Sequence, residues 1–438
     1  MGAVTVTADQ ERAGAGTEAP DPGRSPRRAL VELVVVLSAL SAVLVLAGAG
    51  DVLVFAACVV AMVMLHELGH LLAAKRGGMK VTEYFLGFGP KLWSVRRGET
   101  EYGVKALPLG GYVKIPGMTA LEEVDPADEE RSYRSRPFGA RLLVAVAGSA
   151  VHMVIAFVLL VVVLVAIGTP RSDQVAIEGF VPLSTGVTPA QRAGLQPGDV
   201  VVAADGRPVA GNATLLSSVI RSHPGTPVTL VVERNGVRRT VQVTPVDARS
   251  LGEAVSGTGA TTNDGAIGVQ LGSPLVTVGP LAAVGHSFSE LGSVTAASVA
   301  GVGHLFSPAG MVSRFDQVVS SKAADAAAAN GTRVQSIVGV VQTGGQAVHA
   351  GIYPVLVILI TINVFFAVFN MLPLLPFDGG HVAIAVYERI RTRRGRPAYH
   401  ADVAKMMPFT VAVIGFVAVL FATSLAVDLA HPLPNPFG

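Results

Sequence analysis

The chain has 438 residues, of which 50% are hydrophobic and only 15% carry a charge. Soluble globular proteins are less apolar and about 25% charged, so this composition excludes an ordinary soluble protein. The formal net charge is only +2, and we expect no nucleic-acid partner, since nucleic-acid binding relies on an excess of basic residues.

The apolar residues are clustered in runs that are each near the length needed to cross a bilayer. These runs predict a polytopic α-helical membrane protein with about five transmembrane helices. In chain order we predict a disordered cytoplasmic N-terminus at 1–28, transmembrane helices at 29–50, 51–76, 141–168, 351–380 and 408–428, a cytoplasmic-side segment at 77–140, a soluble domain at 172–247, a linker with membrane-surface helices at 248–350, a basic cytoplasmic loop at 381–407 and a tail at 429–438.

The distribution of Lys and Arg predicts the orientation in the membrane. These residues are concentrated between Lys75 and Arg141, between Arg389 and Lys405, and just before the first apolar run. Short loops rich in Lys and Arg stay in the cytoplasm, so residues from about 170 to 350 should lie outside. The first run could instead be a signal peptide that is cleaved near residues 46–49. In either case the second span enters from outside.

The second run contains the sequence His66-Glu67-Leu-Gly-His70. Two histidines four residues apart share one helix face and can hold one metal ion. Glu67 lies beside them, where it can take a proton from a metal-bound water, whose pKa zinc lowers to about 7. Chance could produce this spacing, but ionisable residues in a membrane span are costly and indicate a functional site.

A third metal ligand should lie at the same membrane depth, because a catalytic zinc usually has three protein ligands and one open position. His66 precedes the first cytoplasmic lysine by nine residues, or about 14 Å of helix. The fourth run breaks at Pro373 and Pro376, and Asp378 follows at the inner side. Asp378 is therefore the candidate ligand, with a helix N-cap as the alternative. His381 could also ligate, but a supporting or structural role is favoured.

Two segments outside the spans have β patterns. Tyr84–Pro90 and Ala106–Ile115 carry strand residues interrupted by Gly and Pro, as in hairpins. In the soluble domain, Asn235-Gly236 between two apolar stretches predicts a hairpin, and residues 212–223 predict a helix. The stretch 191–201 resembles the loop of a bacterial-protease PDZ domain, a module that binds peptide by strand addition. A PDZ-shaped spacer without a peptide is the alternative.

Taken together, the HExxH sequence, Gly87-Phe88-Gly89-Pro90, the PDZ-like loop and Asn370…Asp378-Gly-Gly-His resemble the site-2 protease family of intramembrane zinc metalloproteases (peptidase M50). The resemblance runs from about residue 52 to 428 and is greatest to the bacterial sigma-E-regulator type, in its actinobacterial and mycobacterial branch. It implies that four of the spans form the protease core, with a membrane re-entrant β-loop and one inserted extracytoplasmic PDZ domain of α+β structure.

The resemblance also implies roles for individual residues. His66, His70 and Asp378 would bind Zn²⁺, with Glu67 as the general base. Asn370 matches the family asparagine that holds the substrate or stabilises the oxyanion.

The remaining matches imply substrate contacts. Gly87, Phe88 and Gly89 would belong to a β-loop that pairs with an unwound substrate, and Pro373 would lie beside the substrate as well. In this chain the second proline of that motif is at 376, one residue later than in the family pattern, so the loop could have a slightly different shape.

Family substrates are single-span membrane proteins, typically anti-sigma factors, that another protease has already trimmed outside. The resemblance therefore implies regulated intramembrane proteolysis in the cell membrane, with the active site toward the cytoplasm and the PDZ domain outside excluding uncut substrates. A catalytically silent scaffold on the same fold is the first alternative. A metal or solute transporter is the second, although transporters commonly show repeated halves and we find none in this sequence.

Overall fold

The computed structural model describes residues 26–118, 123–181, 186–251, 264–330, 332–392, 399, 401 and 403–431. The predictions for residues 1–25, for the linker residues 252–263, for the arginines among 393–396 and for the tail from 432 lie outside these residues. The chain divides into two compact units, Ile155–Val294 and the remainder, Met1–Val154 with Thr295–Gly438.

The helices of the described residues are α1 (Pro26–Leu46), α2 (Gly50–Arg76), α3 (Phe138–Val162), α4 (Pro189–Arg192), α5 (Ala213–Arg221), α6 (Pro280–Leu305), α7 (Pro308–Val319), α8 (Ser321–Ala329), α9 (Ile337–Ala350), α10 (Ile352–Asn370), α11 (Asp378–Arg391) and α12 (Met407–Ala430). The strands are β1 (Glu83–Arg97), β2 (Thr100–Lys114), β3 (Thr169–Pro170), β4 (Val175–Phe180), β5 (Val200–Ala204), β6 (Arg207–Pro208), β7 (Val228–Arg234), β8 (Val237–Val243), β9 (Val246–Asp247), β10 (Gly265–Ala266), β11 (Val269–Gly272) and β12 (Leu275–Val276).

Four of the described helices are long and apolar enough to cross a membrane: α2, α3 with its π-helical extension to Ile167, α10 and α12. Their long apolar runs favour helices because in lipid every backbone N–H and C=O must be satisfied within the segment. The predicted polytopic helical protein with a β element is thereby confirmed. The helix α1 lies where the extra N-terminal span is predicted; that it crosses the membrane stays a prediction.

Strands β1 and β2 form a hairpin that folds back on itself. Residues 83–86 of β1 pair with both 101–104 and 111–114 of β2, while residues 93–96 pair with the outer side of 101–104. The fold-back requires a sharp bend in β1, where Gly87 and Gly89 have φ angles of +87° and +83°. Glycine adopts this region without the penalty that a Cβ imposes. Residues 111–114 therefore form one edge of the curled sheet.

The hairpin is attached to the helix that carries the HExxH sequence. The Tyr84 hydroxyl donates a hydrogen bond to the Met64 carbonyl at 2.7 Å. Toward the C-terminal end of α2, a buried apolar cluster joins this helix and the first turns of α3 to the residues just before β1. Leu71, Ala74, Val81 and Val144 are among its members. This packing fixes the hairpin beside α2.

The unit Ile155–Val294 is built around a sheet in the order β11-β4-β5-β7-β8, with β6 beside β5. The hairpin predicted at Asn235-Gly236 is present, since Arg234 pairs with Val237 and both turn residues have positive φ. The predicted helix is α5, which Asn212 caps by accepting from the Leu215 N–H. The sheet extends past the predicted boundary at residue 247, because β11 pairs with β4.

In the region predicted as a linker with membrane-surface helices, 248–350, most of the described residues from Pro280 onward belong to α6, α7, α8 and α9. Their position at a membrane surface stays a prediction. The predicted basic loop at 381–407 differs from the structure at its start, because α11 continues the chain as a helix to Arg391. Nothing in residues 381–391 breaks a helix, since neither proline nor glycine occurs there.

Candidate metal centre

Helix α2 carries His66, Glu67 and His70 in one uninterrupted turn. His66 is 7% exposed and His70 is 3% exposed. Because residues four apart lie on the same helix face, both imidazoles point to one side of α2. The chemistry of this face depends on what lies opposite it.

The break between α10 and α11 brings Asp378 to that position. Helix α10 ends at Asn370, and α11 begins at Asp378 after a tight turn. A Cβ at Gly379 would lie 2.3 Å from the Met371 carbonyl oxygen, so this turn can close only over glycine. The N-cap of α11 is Phe377, without a side-chain capping bond. The alternative that Asp378 serves as the N-cap is therefore not seen.

Three potential ligand atoms converge here. The His66 and His70 Nε2 atoms are 3.2 Å apart, and they lie 3.5 Å and 3.2 Å from Asp378 Oδ2. Bonds of about 2.0 Å from a tetrahedral zinc ion place its ligand atoms about 3.3 Å apart. Among the described residues, only His66, His70 and Asp378 form such a group of potential ligands.

Hydrogen bonding explains why a cation suits this group. The His70 Nδ1–H donates to the Val144 carbonyl at 2.8 Å, so the neutral ring presents a lone pair at Nε2. That lone pair faces Asp378 Oδ2, a buried oxygen without a hydrogen-bond partner in the described part of the chain. Two acceptors at 3.2 Å repel each other unless a cation lies between them. The residues present therefore fit a zinc ion.

Glu67 lies between this group and the edge of the hairpin sheet. A Cβ built on Gly111 would come within 3.2 Å of Glu67 Cγ and 2.9 Å of Met64 Sδ. Gly111 belongs to the edge segment 111–114 of β2. The edge of the sheet thus passes directly beside the carboxylate expected to act as the base.

The model of Peptidase family M50 matches residues 54–415. The chain belongs to this family. Zinc metalloprotease Rip1 of Mycobacterium tuberculosis is 35% identical over 412 residues, which cover 87% of this chain and 98% of that protein. Zinc metalloprotease Rip1 of Mycolicibacterium smegmatis is 34% identical over 418 residues, 88% of this chain and 98% of that protein.

Membership of family M50, with relatives of this kind, confirms three predictions made from the sequence. The chain is a site-2 type protease of the mycobacterial branch, it is a metalloprotease, and Zn²⁺ is its cofactor. Proteolysis within the membrane is confirmed in general terms. The roles of individual residues stay predictions.

Several predicted residues of this M50 protease lie outside the ligand group. Asn370 is the last residue of α10, and Pro373 is exposed in the turn that follows. Phe88 is 45% exposed in the bend of β1, between the two glycines. His381 packs edge-on against Tyr133, with ring centroids 6.1 Å apart, which is an arrangement suited to a structural role.

Three residues of the site were missed by the sequence analysis. Gly148 on α3 approaches both imidazoles, since a Cβ there would lie 2.4 Å from His66 Cε1 and from His70 Nε2. His152 lies one turn further along α3, and its ring centroid is 4.8 Å from that of His66. Asn363 on α10 bonds to His152. The signal available for His152 was the same as for His66, a titratable side chain within an apolar run.

Proposed function

We propose that this zinc metalloprotease cleaves single-span membrane proteins within the bilayer, with His66, His70 and Asp378 as the zinc ligands and Glu67 as the general base. One observation carries the proposal. Two segments more than 300 residues apart in the sequence place three ligand atoms 3.2 to 3.5 Å from one another, and two of these are acceptors facing each other. Bound zinc supplies Lewis-acid activation of water and of the scissile carbonyl.

The protein's own groups carry the proton movements. The Glu67 carboxylate accepts a proton from the attacking water as the new C–O bond forms. It then gives that proton to the leaving nitrogen as the C–N bond breaks, so that the carboxylate is regenerated. The buried position of the His66–His70 pair keeps bulk water from competing for these proton transfers.

The substrate must be extended at the cleavage site, because a helix hides its peptide bonds. Segment 111–114 offers a sheet edge beside Glu67, and strand addition to such an edge would hold an unwound chain by main-chain hydrogen bonds. Gly87, Phe88 and Gly89 form the bend that shapes this sheet, and Pro373 lies in the turn on the Asp378 side. The Asn370 amide is proposed to donate to the substrate carbonyl.

The wider setting of this reaction follows from the charge distribution and the family resemblance. The active site would lie toward the cytoplasm, and the soluble domain predicted at 172–247 would lie outside the cell membrane. That domain, with its antiparallel sheet and two short helices, is proposed to be a PDZ domain that restricts access to substrates already trimmed by another protease. Trimmed anti-sigma factors are the proposed substrate class.

The test compares wild type, Glu67→Gln and Asp378→Ala, each purified in detergent. Zinc content and cleavage of a trimmed single-span anti-sigma factor are measured together. Glu67→Gln should keep its zinc and lose cleavage by a factor of about 10² to 10⁴, which is the usual contribution of a general base. Asp378→Ala should lose both zinc and cleavage, because one of three ligands is missing.

The outcomes separate the competing functions. Full zinc occupancy in Asp378→Ala would remove Asp378 from the ligand set. Zinc in wild type and Glu67→Gln without cleavage in either, for several trimmed substrates, would support the silent scaffold instead.

A further inference from the structure

The two histidines of the candidate metal centre are held in different ways. The His70 ring is oriented by the hydrogen bond from its Nδ1 to the Val144 carbonyl. The corresponding atom of the other ring, His66 Nδ1, is buried and faces the backbone of Gly148 on α3 instead of such a well-formed bond. Metal-binding histidines usually have such a partner, which fixes the ring orientation. Besides this backbone, a side-chain contact can orient the His66 ring.

Helix α3 provides that contact. Gly148 and His152 are four residues apart, so they lie on the same face of α3. The backbone of Gly148 comes so close to His66 that a methyl group would not fit. One turn further on, the His152 ring packs against the His66 ring at a centroid distance of 4.8 Å and an angle of 37°. Together these two residues limit how the His66 ring can turn.

His152 is itself firmly anchored. The Asn363 amide donates from Nδ2 to the Leu359 carbonyl at 2.7 Å, which turns its Oδ1 toward His152. His152 Nδ1 then donates to Asn363 Oδ1 at 2.9 Å. Both side chains are almost completely buried, at 2% and 1% exposed, and Phe366 stacks on the His152 ring. A buried network with its partners satisfied is rigid.

We infer that His152, anchored by Asn363, is a positioning residue that holds the His66 ring in the orientation required for metal binding. It is not a ligand itself, because the ligand group of the described residues contains only His66, His70 and Asp378. This inference rests on the proposed role of His66 as a ligand. It gives α3 and α10, which carry no ligand, a direct part in shaping the centre.

The test measures zinc affinity of the full-length protein by competition with a chelator of known affinity. His152→Ala should raise the zinc dissociation constant by about 10-fold or more, the usual effect of removing a group that orients a ligand. The Co²⁺-substituted protein gives a second readout, since its visible absorption reports ligand geometry. The band of His152→Ala should differ in shape from that of wild type, independently of any activity.

Asn363→Leu provides an independent variant, because leucine keeps the branching of the asparagine side chain, removes its hydrogen bonds and suits an apolar helix. It should weaken zinc binding in the same direction as His152→Ala, and it carries the test should His152→Ala fail to fold. In the double variant, Asn363→Leu should add nothing to His152→Ala, since the anchor acts only through the histidine. Ser149→Ala is the matched control: Ser149 is buried on the same turn of α3 and should leave zinc affinity unchanged.

His66→Ala separates this inference from the proposed function. Loss of zinc in His66→Ala, together with wild-type affinity and an unchanged Co²⁺ spectrum in His152→Ala and Asn363→Leu, would overturn the positioning role and leave the ligand set intact. Wild-type zinc binding in His66→Ala would instead overturn the ligand set, and the positioning role with it.

Discussion

Gly148 shows how a residue without a side chain can determine a metal site. It lies where α3 passes the two imidazoles of α2, and a methyl group at this position would lie 2.4 Å from atoms of both rings. Contacts below 3 Å cannot be relieved by small adjustments when the neighbours are rings fixed by their own packing. Glycine is therefore required for α3 to approach the candidate metal centre.

Gly148→Ala should abolish zinc binding while leaving the helix intact, because alanine favours helix by about 1 kcal/mol over glycine but displaces both histidines. Zinc content of the purified variant provides the measurement. Gly139→Ala on the same helix is the control, since nothing lies within 4 Å of its Cβ position. A zinc-loaded Gly148→Ala would show that α3 can move away without loss of the site.

A buried carboxylate, that of Asp199, forms an ion pair in the unit Ile155–Val294. Asp199 is 0% exposed, and it accepts from Arg234 Nε at 2.6 Å and Nη2 at 2.7 Å and from the Gln196 N–H at 2.9 Å. Burial acts to raise the pKa of this carboxyl, but the Arg234 guanidinium and the Gln196 N–H outweigh it and hold the pKa below its ordinary value. The carboxylate form therefore stabilises this unit.

The sign of the pH dependence follows from that lowered pKa. The stabilisation is fully present above the unfolded pKa of about 3.9 and is lost as the pH falls through the lower folded pKa. Asp199→Asn should reduce stability at pH 7 by about 2 kcal/mol and remove this acid sensitivity. Urea unfolding of the full-length protein, followed by pulse proteolysis from neutral pH to below pH 4, measures both.

Glu233→Gln is the control for the Asp199–Arg234 ion pair, because Glu233 belongs to an ion pair at the surface. Its partner Arg238 lies 4.0 Å away, and both side chains are largely exposed, so the change should be close to neutral. Equal destabilisation by Glu233→Gln and Asp199→Asn would contradict the importance of burial.

At the scale of elements, the β1–β2 hairpin depends on one bend. Gly87 and Gly89 both have positive φ, but their surroundings differ. A Cβ on Gly87 would lie 2.7 Å from the Leu107 carbonyl oxygen, whereas a Cβ on Gly89 would meet only the Leu107 side chain, at 3.7 Å. Alanine at Gly89 therefore tests the free-energy cost of the backbone conformation alone, whereas alanine at Gly87 adds the cost of a steric collision.

Gly89→Ala should cost only the conformational penalty of about 1 kcal/mol, whereas Gly87→Ala should cost more and open the fold-back of the hairpin. Hydrogen exchange of the amides in 83–86 and 101–104 reports this directly. Protection that falls equally in both variants would show that backbone strain alone decides the bend. Substrate cleavage should fall with protection, because the edge segment 111–114 pairs with the same residues of β1.

At the scale of the whole molecule, the unit Ile155–Val294 is inserted through two neighbouring chain segments. Strand β3 pairs with β12, so that Pro170 is opposite Leu275, and β4 pairs with β11. The chain thus enters and leaves the sheet side by side. Domain insertions are tolerated when their ends are close together, so residues 172–273 can be removed without stretching the rest of the chain.

Excision of residues 172–273, with a short Gly-Ser linker, should leave cleavage of a trimmed single-span substrate intact and allow cleavage of the untrimmed form. The reason is that the candidate metal centre and the hairpin lie wholly in the other unit. Parallel assays of both substrate forms provide the measurement. Loss of all cleavage with zinc still bound would show that this unit contributes to catalysis rather than to substrate selection.

Much of this architecture was predictable because its signals are local. The apolar runs, the His66–His70 spacing, the helix break before Asp378 and the Asn235-Gly236 turn each depend on residues within a few positions of one another. Helix periodicity, proline chemistry and turn preferences act over this range. The predicted boundary at 247 leaves out β11, because a strand pattern near residue 269 does not show by itself that this strand pairs with β4.

The sequence by itself determined that this is a polytopic metalloprotease of family M50. It also determined which side chains are candidates to hold zinc, because the spacing of ligands and the hydropathy of each segment follow directly from the order of the residues. Only the tertiary structure decided that α3 passes the centre through Gly148, that His152 packs against His66 and is bonded to Asn363, and that the sheet edge at 111–114 runs beside Glu67. These contacts join segments far apart in the sequence, and close packing between helices and strands, which local patterns do not encode, is what selects them.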